Sequence, residues 1–242
     1  MNIVLMYHDV VNEACPKSGQ QKEGALQYTI NDITFEAHVK QTTKEDVVYT
    51  FDDGGCSFIS PIAGILEKHN KRAIYFISTN YINTPFFLTK EDIKELDKRG
   101  HIIASHSHTH PDKISSLTHD ECLNEWIVSK RILENIVGHS VSAASIPGGD
   151  ISDMVIDCMV EAGYTEIYTS EPTIKVRKYR GVYIIGRYGI TKSMSGQTFF
   201  KLIYNKHFRN KLLIKYKILK FAKAILGANY NIIKRFVLRL SI

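Results

Sequence analysis

The chain has 242 residues, 44% of them hydrophobic and 23% charged, with 15 glycines and 6 prolines. This excludes collagen-like, low-complexity and wholly disordered chains and suits one packed domain, alone or with an appendage. The net charge of +6 hides two halves: residues 1–171 hold all 25 Asp and Glu against 14 Lys and Arg, whereas residues 172–242 hold 17 Lys and Arg and no carboxylate side chain.

The opening MNIVLMYHDV lacks the basic start of an export signal, and Asp9 ends its apolar run early. It reads as a first core strand over 2–8, so a cytoplasmic protein is expected. Cys15, Cys56, Cys122 and Cys158 are widely spaced with no CxxC pair, and are expected as reduced thiols. Further strand-like runs follow at 47–51, 73–77, 101–105, 143–146, 166–169 and 182–187, mostly β-branched or aromatic and several continuously apolar. Between them lie helical patterns at 60–69, 90–99, 119–137 and 153–162, the third preceded by Thr118 and Glu121 at capping-box spacing. The alternation predicts an α/β fold, a parallel sheet or barrel of about seven strands.

From about residue 197 the character changes. Ile214, Ile218, Phe221 and Ile225 form one apolar stripe at helical spacing, and Leu212, Tyr216, Leu219 and Leu226 form another, with five lysines between them. We therefore expect a barrel over 1–197 and a basic helical tail over 198–242. The tail suits an anionic partner such as a membrane surface at the cytoplasmic face. A docked helix with a solvated basic rim fits as well. No nucleic-acid reading motif accompanies the charge, so no nucleic-acid partner is expected.

Three segments place unusual polar residues at strand ends, where parallel α/β folds bind ligands. Thr50-Phe51-Asp52-Asp53-Gly54-Gly55 sets two carboxylates side by side, which repel unless a cation or hydrogen bonds compensate, although Asp-Asp-Gly is also an ordinary turn. His106-Ser107-His108-Thr109-His110 concentrates imidazoles, the commonest metal ligands, with His106 and His110 four apart. His108 points elsewhere if those two converge. Ser145-Ile146-Pro147-Gly148-Gly149-Asp150 is first of all a turn, and otherwise a backbone wall beside a site. One carboxylate and two imidazoles would make a three-ligand site with room for water, the catalytic form of a zinc site.

TFDDG, then HSHTH about 50 residues later, then a strand ending in a proline-glycine turn, together with Leu5-Met6-Tyr7-His8-Asp9 at the start, resemble the NodB-like polysaccharide deacetylases over residues 1–190. The resemblance implies a distorted (β/α) barrel and metal-dependent removal of an acetyl group, N-linked or sometimes O-linked, from a sugar. By position it implies Asp52 as catalytic base and Asp53, His106 and His110 as metal ligands. Zinc is the expected ion, with cobalt, nickel or manganese as alternatives. Gly54, Pro147, Gly148, Arg187 and His8 are expected to meet the substrate.

The sequence departs from the family at two places. Ser145 and Ile146 precede Pro147 where an arginine is common. Residues 184–190 lack the histidine of a Leu-x-His motif, and Arg187 stands where some members carry arginine. Leu117-Thr118-His119 has the right letters in the wrong place, so the general acid is unassigned, with His8 a substitute. The expected function is deacetylation of a glycan precursor, lipid-linked if the tail meets a membrane, in surface polysaccharide synthesis. The alternative is a non-catalytic member that binds metal and carbohydrate and scaffolds another enzyme.

Overall fold

The computed structural model describes residues 2–42 and 47–226. All seven expected strands form: β1 (Ile3–Tyr7), β4 (Val47–Phe51), β5 (Ala73–Ile77), β6 (Ile102–Ser105), β7 (Ala143–Ser145), β8 (Glu166–Thr169) and β10 (Val182–Gly186). They pair in parallel in the order β1-β4-β5-β6-β7-β8-β10. One residue past β10, the short β11 (Tyr188–Gly189) pairs in parallel with β1 at the opposite end of that order. The sheet therefore curls towards closure, and Arg187 is the single residue at the seam. A short antiparallel strand, β9 (Arg177–Tyr179), lies beside β10.

Side chains alternate between the two faces of the curl, as the two-residue period of a strand requires. Ile3, Leu5 and Tyr7 join the large cluster beneath the helices. Val4 joins Ile74, Phe76, Ala104, Ala143 and Tyr168 in a small cluster drawn from five strands. The expected helices also form: α3 (Ile62–Lys68), α4 (Lys90–Lys98), α5 (His119–Val137) and α6 (Asp153–Glu161). Thr118 and Glu121 make the capping box of α5, and Gly138 ends it in the left-handed conformation at φ 80°. Thr89 and Asp92 cap α4 in the same way.

Several elements were not expected. After β1 come β2 (Val10–Val11), a single-turn helix α1 (Glu23–Leu26), β3 (Ile30–Asn31) paired with β2, and α2 (Asp32–Gln41). These segments are short, and α2 buries only Phe35, His38 and Val39, too few to mark a period in sequence. At the other end, α7 (Gly196–Tyr204) is capped by Ser195 and buries Phe199, Leu202 and Ile203. The His38 ring stacks on Phe199 at 3.9 Å, which ties α7 to α2.

Helix α8 (Lys206–Leu226) follows directly. Phe208 and Leu212 pack on the core, and Tyr216 and Leu219 are half-buried. Ile214, Ile218 and Phe221 stay exposed. The side chains of Ile225 and Leu226, and residues 227–242 of the expected tail, lie outside the described residues. No helix among the described residues is long and apolar enough to cross a membrane.

Candidate metal centre and active-site cleft

Asp52 and Asp53 follow the carboxyl end of β4, where the Asp52 amide donates to the Tyr7 carbonyl of the neighbouring strand. Asp53 takes a left-handed backbone at φ 82° and Gly54 follows at φ 93°. A Cβ on Gly54 would stand 3.1 Å from the Ile77 side chain, so the turn packs tightly on β5. A non-glycine residue in this region is strained, and such strain persists where the surroundings impose it. Its effect here is to turn the two adjacent carboxylates to different partners.

His106 follows β6, with its amide bonded to the Ile77 carbonyl. The loop then doubles back through Ser107 (φ 63°) and His110 (φ 56°). Glu125, buried on α5, holds that loop: its carboxylate accepts from the amides of His108 and Thr109 at 2.9 and 2.8 Å and from the Thr109 hydroxyl at 2.7 Å. His108 points away, its Nδ1 lying 2.9 Å from the Thr79 hydroxyl.

The result brings Asp53, His106 and His110 together, with one ligating atom from each within 4.8 Å of the others. Asp53 Oδ1 lies 3.4 Å from His106 Nε2 and 3.3 Å from His110 Nε2. The donor set suits a divalent ion. His106 Nδ1 lies 3.0 Å from the Ser145 carbonyl and 2.6 Å from the Ser145 hydroxyl, which orient the ring so that Nε2 is on the side of Asp53. Asp53 Oδ1 is buried without a hydrogen-bond donor. An acceptor buried without a donor calls for a cation beside it.

Asp52 turns the other way. It accepts both arms of the Arg187 guanidinium and a weaker bond at 3.3 Å from the Ser145 hydroxyl. Burial pushes its carboxyl up, but Arg187 and then His106 outweigh this and hold it below the usual range. Asp53 is also pushed up by burial and held well below the usual range by His106 and His110. For His110, burial lowers the imidazole pKa, and Asp53 more than offsets this, leaving it raised.

A cleft of about 440 Å³ opens over these groups, with Asp52, Asp53, His106 and His110 on its floor. His8 and Gly148 also line it. The His8 ring stacks on Tyr28 at 4.5 Å, its Nδ1 is buried without a partner, and burial lowers its pKa. Arg187 also lines the cleft; it is 1% exposed and presents its fork to Asp52. Pro147 and Gly54 are buried in the wall behind. His119 is far from this floor, at the start of α5, where it pairs with Asp120 and Glu161.

Three residues beside the site were given no role from the sequence. Glu125 lies mid-helix like any polar residue, and Ser145 reads as part of a turn. Asp9 is 3% exposed and accepts from Ser18 Oγ at 2.6 Å and Ser57 Oγ at 3.1 Å. Burial pushes its carboxyl up to about 7.

The curled parallel sheet and the carboxylate–imidazole cluster at its strand ends define an α/β half-barrel with a site able to hold a metal ion. The chain belongs to the polysaccharide deacetylase family, whose profile matches residues 39–167. It is 28% identical to the Bacillus subtilis protein YxkH over 160 residues, 66% of this chain and 57% of that protein. It is 26% identical to the peptidoglycan-N-acetylmuramic acid deacetylase PdaA of the same organism over 163 residues, 66% of this chain and 58% of PdaA. The chain thus spans little more than half the length of these curated relatives. Among solved structures, the Streptococcus pyogenes deacetylase PplD shares the fold at a TM-score of 0.69 and 20% identity, covering 83% of this chain and 97% of that one.

Proposed function

We propose that this chain is a metal-dependent deacetylase that removes an acetyl group, most readily an N-acetyl, from a sugar in a surface glycan or its precursor. The observation that carries the reading is the division of the two adjacent carboxylates: Asp53 faces two imidazoles, and Asp52 faces Arg187. The likeness to PdaA, named for action on an acetylated amino sugar, supports the same substrate class.

Asp53, His106 and His110 would hold the ion, for which zinc is our first choice and cobalt, nickel or manganese the alternatives. Such an ion, when bound, lowers the pKa of a water molecule and polarises the acetyl carbonyl. Asp52 is held ionised and oriented, ready to accept the proton of the attacking water. Because Arg187 disfavours a protonated Asp52, the proton passes on readily to the more basic leaving amine. Amide groups of the turn at Gly54 and the backbone at Gly148 bound the acetyl site. His8, kept neutral by burial, has one N–H to donate to the sugar.

Helix α8 supports a second part of the reading. Lys211, Lys217 and Lys220 are exposed beside Ile214, Ile218 and Phe221, in a segment with no acidic side chain. We propose that the tail over 198–242 meets an anionic lipid surface, which basic segments encounter at the cytoplasmic face, and so brings the barrel over 1–197 to a lipid-linked substrate.

Release of acetate from acetylated chito-oligosaccharides and peptidoglycan fragments, by purified chain with added zinc, tests the activity. Turnover that Asp52→Asn abolishes is expected. No acetate from any of these with any of the four metals, or an unchanged rate in Asp52→Asn, overturns the reading. The absence of histidine from 184–190 favours one other reading, a non-catalytic metal and carbohydrate binder, which zinc-dependent turnover excludes.

A further inference from the structure

Cys15 and Cys56, 41 positions apart in sequence, bring their sulfurs to 3.7 Å. Both thiols are directed at one acceptor, the carbonyl oxygen of Lys17, at 3.7 Å from Cys15 and 3.5 Å from Cys56. Their backbones are fixed independently. Cys15 closes a turn in which its amide donates to the Asn12 side chain at 2.8 Å and the Asn12 amide donates to its carbonyl at 3.1 Å. The Cys56 amide donates to the Phe86 carbonyl at 2.9 Å. Both side chains are partly exposed, whereas Cys122 and Cys158 are buried in α5 and α6. The approach therefore belongs to the folded backbone and is open to a reagent from solvent.

The position of the pair matters for the cleft. Cys56 follows Asp52-Asp53-Gly54-Gly55 directly. Cys15 opens the loop that brings Gln20, Lys22, Ala25 and Tyr28 to the cleft wall. Apart from Cys15, that loop is held by Ser18, whose hydroxyl donates to Asp9 and accepts from the Ser57 amide just past the turn, and by Gly19, whose amide donates to the Phe86 carbonyl.

We propose that Cys15 and Cys56 are a disulfide-forming pair, oxidised by a small-molecule or protein disulfide, and that the bond staples the cleft-wall loop to the turn carrying the two aspartates. The step is a thiol–disulfide exchange. The Cys56 thiolate attacks one sulfur of the donor, whose S–S bond breaks and releases a first thiol. Cys15 then loses its proton and attacks the Cys56 sulfur, releasing the second thiol. Two electrons and two protons pass from the pair to the donor. Burial and the neighbouring thiol push Cys15 up to about 12, which disfavours its thiolate as the one that attacks first. The sulfurs must close from 3.7 Å to a bond of about 2.05 Å.

The test uses the full chain and reads no catalysis, so its outcome is separate from that of the deacetylase reading. The chain is incubated with glutathione disulfide, its free thiols are blocked with iodoacetamide under denaturing conditions, and tryptic peptides are weighed. A peptide joining Cys15 to Cys56, two hydrogens lighter than its parts, is expected, with Cys122 and Cys158 alkylated. The oxidised chain should melt roughly 5 °C above the same chain after dithiothreitol, since the bond closes a long loop. Cys15→Ser should abolish both the joined peptide and the shift. Accumulation of separate glutathione adducts on Cys15 and Cys56 without a joined peptide overturns the pairing. A joined peptide with no change in melting overturns the stapling.

Discussion

Arg187 donates from Nη1 to Asp52 Oδ1 at 2.6 Å and from Nη2 to Asp52 Oδ2 at 2.8 Å, joining residues 135 positions apart. The pairing follows from the way the barrel closes: Gly186 pairs with β8 and Tyr188 with β1, so the intervening side chain is turned in beside the end of β4. Arg187 Nη1 also donates to Thr50 Oγ1 at 3.2 Å, and Nε to the Thr169 carbonyl at 3.3 Å. A planar fork with several fixed acceptors sets the carboxylate's orientation as well as its charge.

Replacing Arg187 with Met leaves a buried carboxylate without its cation. Burial then raises the Asp52 pKa unopposed by its largest counter-charge, so the acid limb of the kcat/KM profile should move to higher pH by about one unit or more. The fold should lose about 3–5 kcal/mol, as removing one partner of a buried pair does. Arg187→Lys keeps a cation and loses the fork, and should give a smaller shift on a sounder fold. An acid limb unmoved in both variants contradicts the assignment of Asp52 as base.

Glu125 touches no ligand atom, and its contribution is to hold the loop between His106 and His110 in shape. Glu125→Ala removes three hydrogen bonds to His108 and Thr109. By analogy with residues that orient metal ligands, zinc affinity should fall about 10–100-fold, read by competition with a chromogenic chelator. Asp52, in a different turn, should keep its pH dependence in the residual activity. Unchanged zinc affinity would show that the loop holds its geometry without this carboxylate.

The seven strands and the four helices between them were legible because they carry local signals: continuous apolar runs such as Ile3–Tyr7, or a capping box such as Thr118 with Glu121. The carboxylate pair and the two histidines were legible as motifs at strand ends. What the sequence hid is relational. That Arg187 turns its fork to Asp52 depends on β10 and β11 lying on opposite ends of the strand order. Asp9 and Ser145 lie in segments singled out as motifs, but their own partners, like those of Glu125, are distant in sequence and no local pattern announces them. Helix α2 was missed because it buries only three residues, and α7 was expected only as the start of a basic helical tail, whereas the stacking of Phe199 on His38 fixes it to α2.

Metal removal should be visible in stability as well as in turnover. An ion that binds only the folded chain adds about 2.7 kcal/mol at a hundredfold excess over its Kd. Zinc should therefore raise the melting temperature of chelator-treated protein, and Asp53→Asn should abolish that rise. The effect should weaken as pH falls, because protons compete with the ion for its ligands. A zinc-induced rise of equal size in Asp53→Asn places the ion elsewhere.

Asp9 sets a pH dependence of its own. Burial raises its carboxyl from 3.8 to about 7, so between those values the folded chain keeps a proton that the unfolded chain releases. Its contribution to stability is complete below the unfolded value and is lost as pH rises through 7, at up to about 1.4 kcal/mol per pH unit. Asp9→Asn cannot lose a proton there and keeps an oxygen for Ser18 and Ser57 to donate to. The variant should lose less stability than the parent between pH 5 and pH 8 in urea unfolding. Equal losses in the two proteins would mean that Asp9 is already ionised at pH 5.

The exposed stripe on α8 gives the lipid reading a direct test. A truncation at 198 would remove α7 and the buried Phe199, Leu202 and Ile203, and would report on folding instead of binding. Ile214, Ile218 and Phe221 are 58%, 50% and 68% exposed, so changing all three to serine leaves the core intact. The parent should float with vesicles rich in anionic lipid and release as salt rises, because the lysines act through a screened field. Apolar insertion adds to that attraction in proportion to the area buried. The triple variant should bind at least tenfold more weakly to the same vesicles, with its melting temperature unchanged. Equal flotation of parent and variant would assign the binding to charge alone, and flotation of neither would remove the membrane from the proposal.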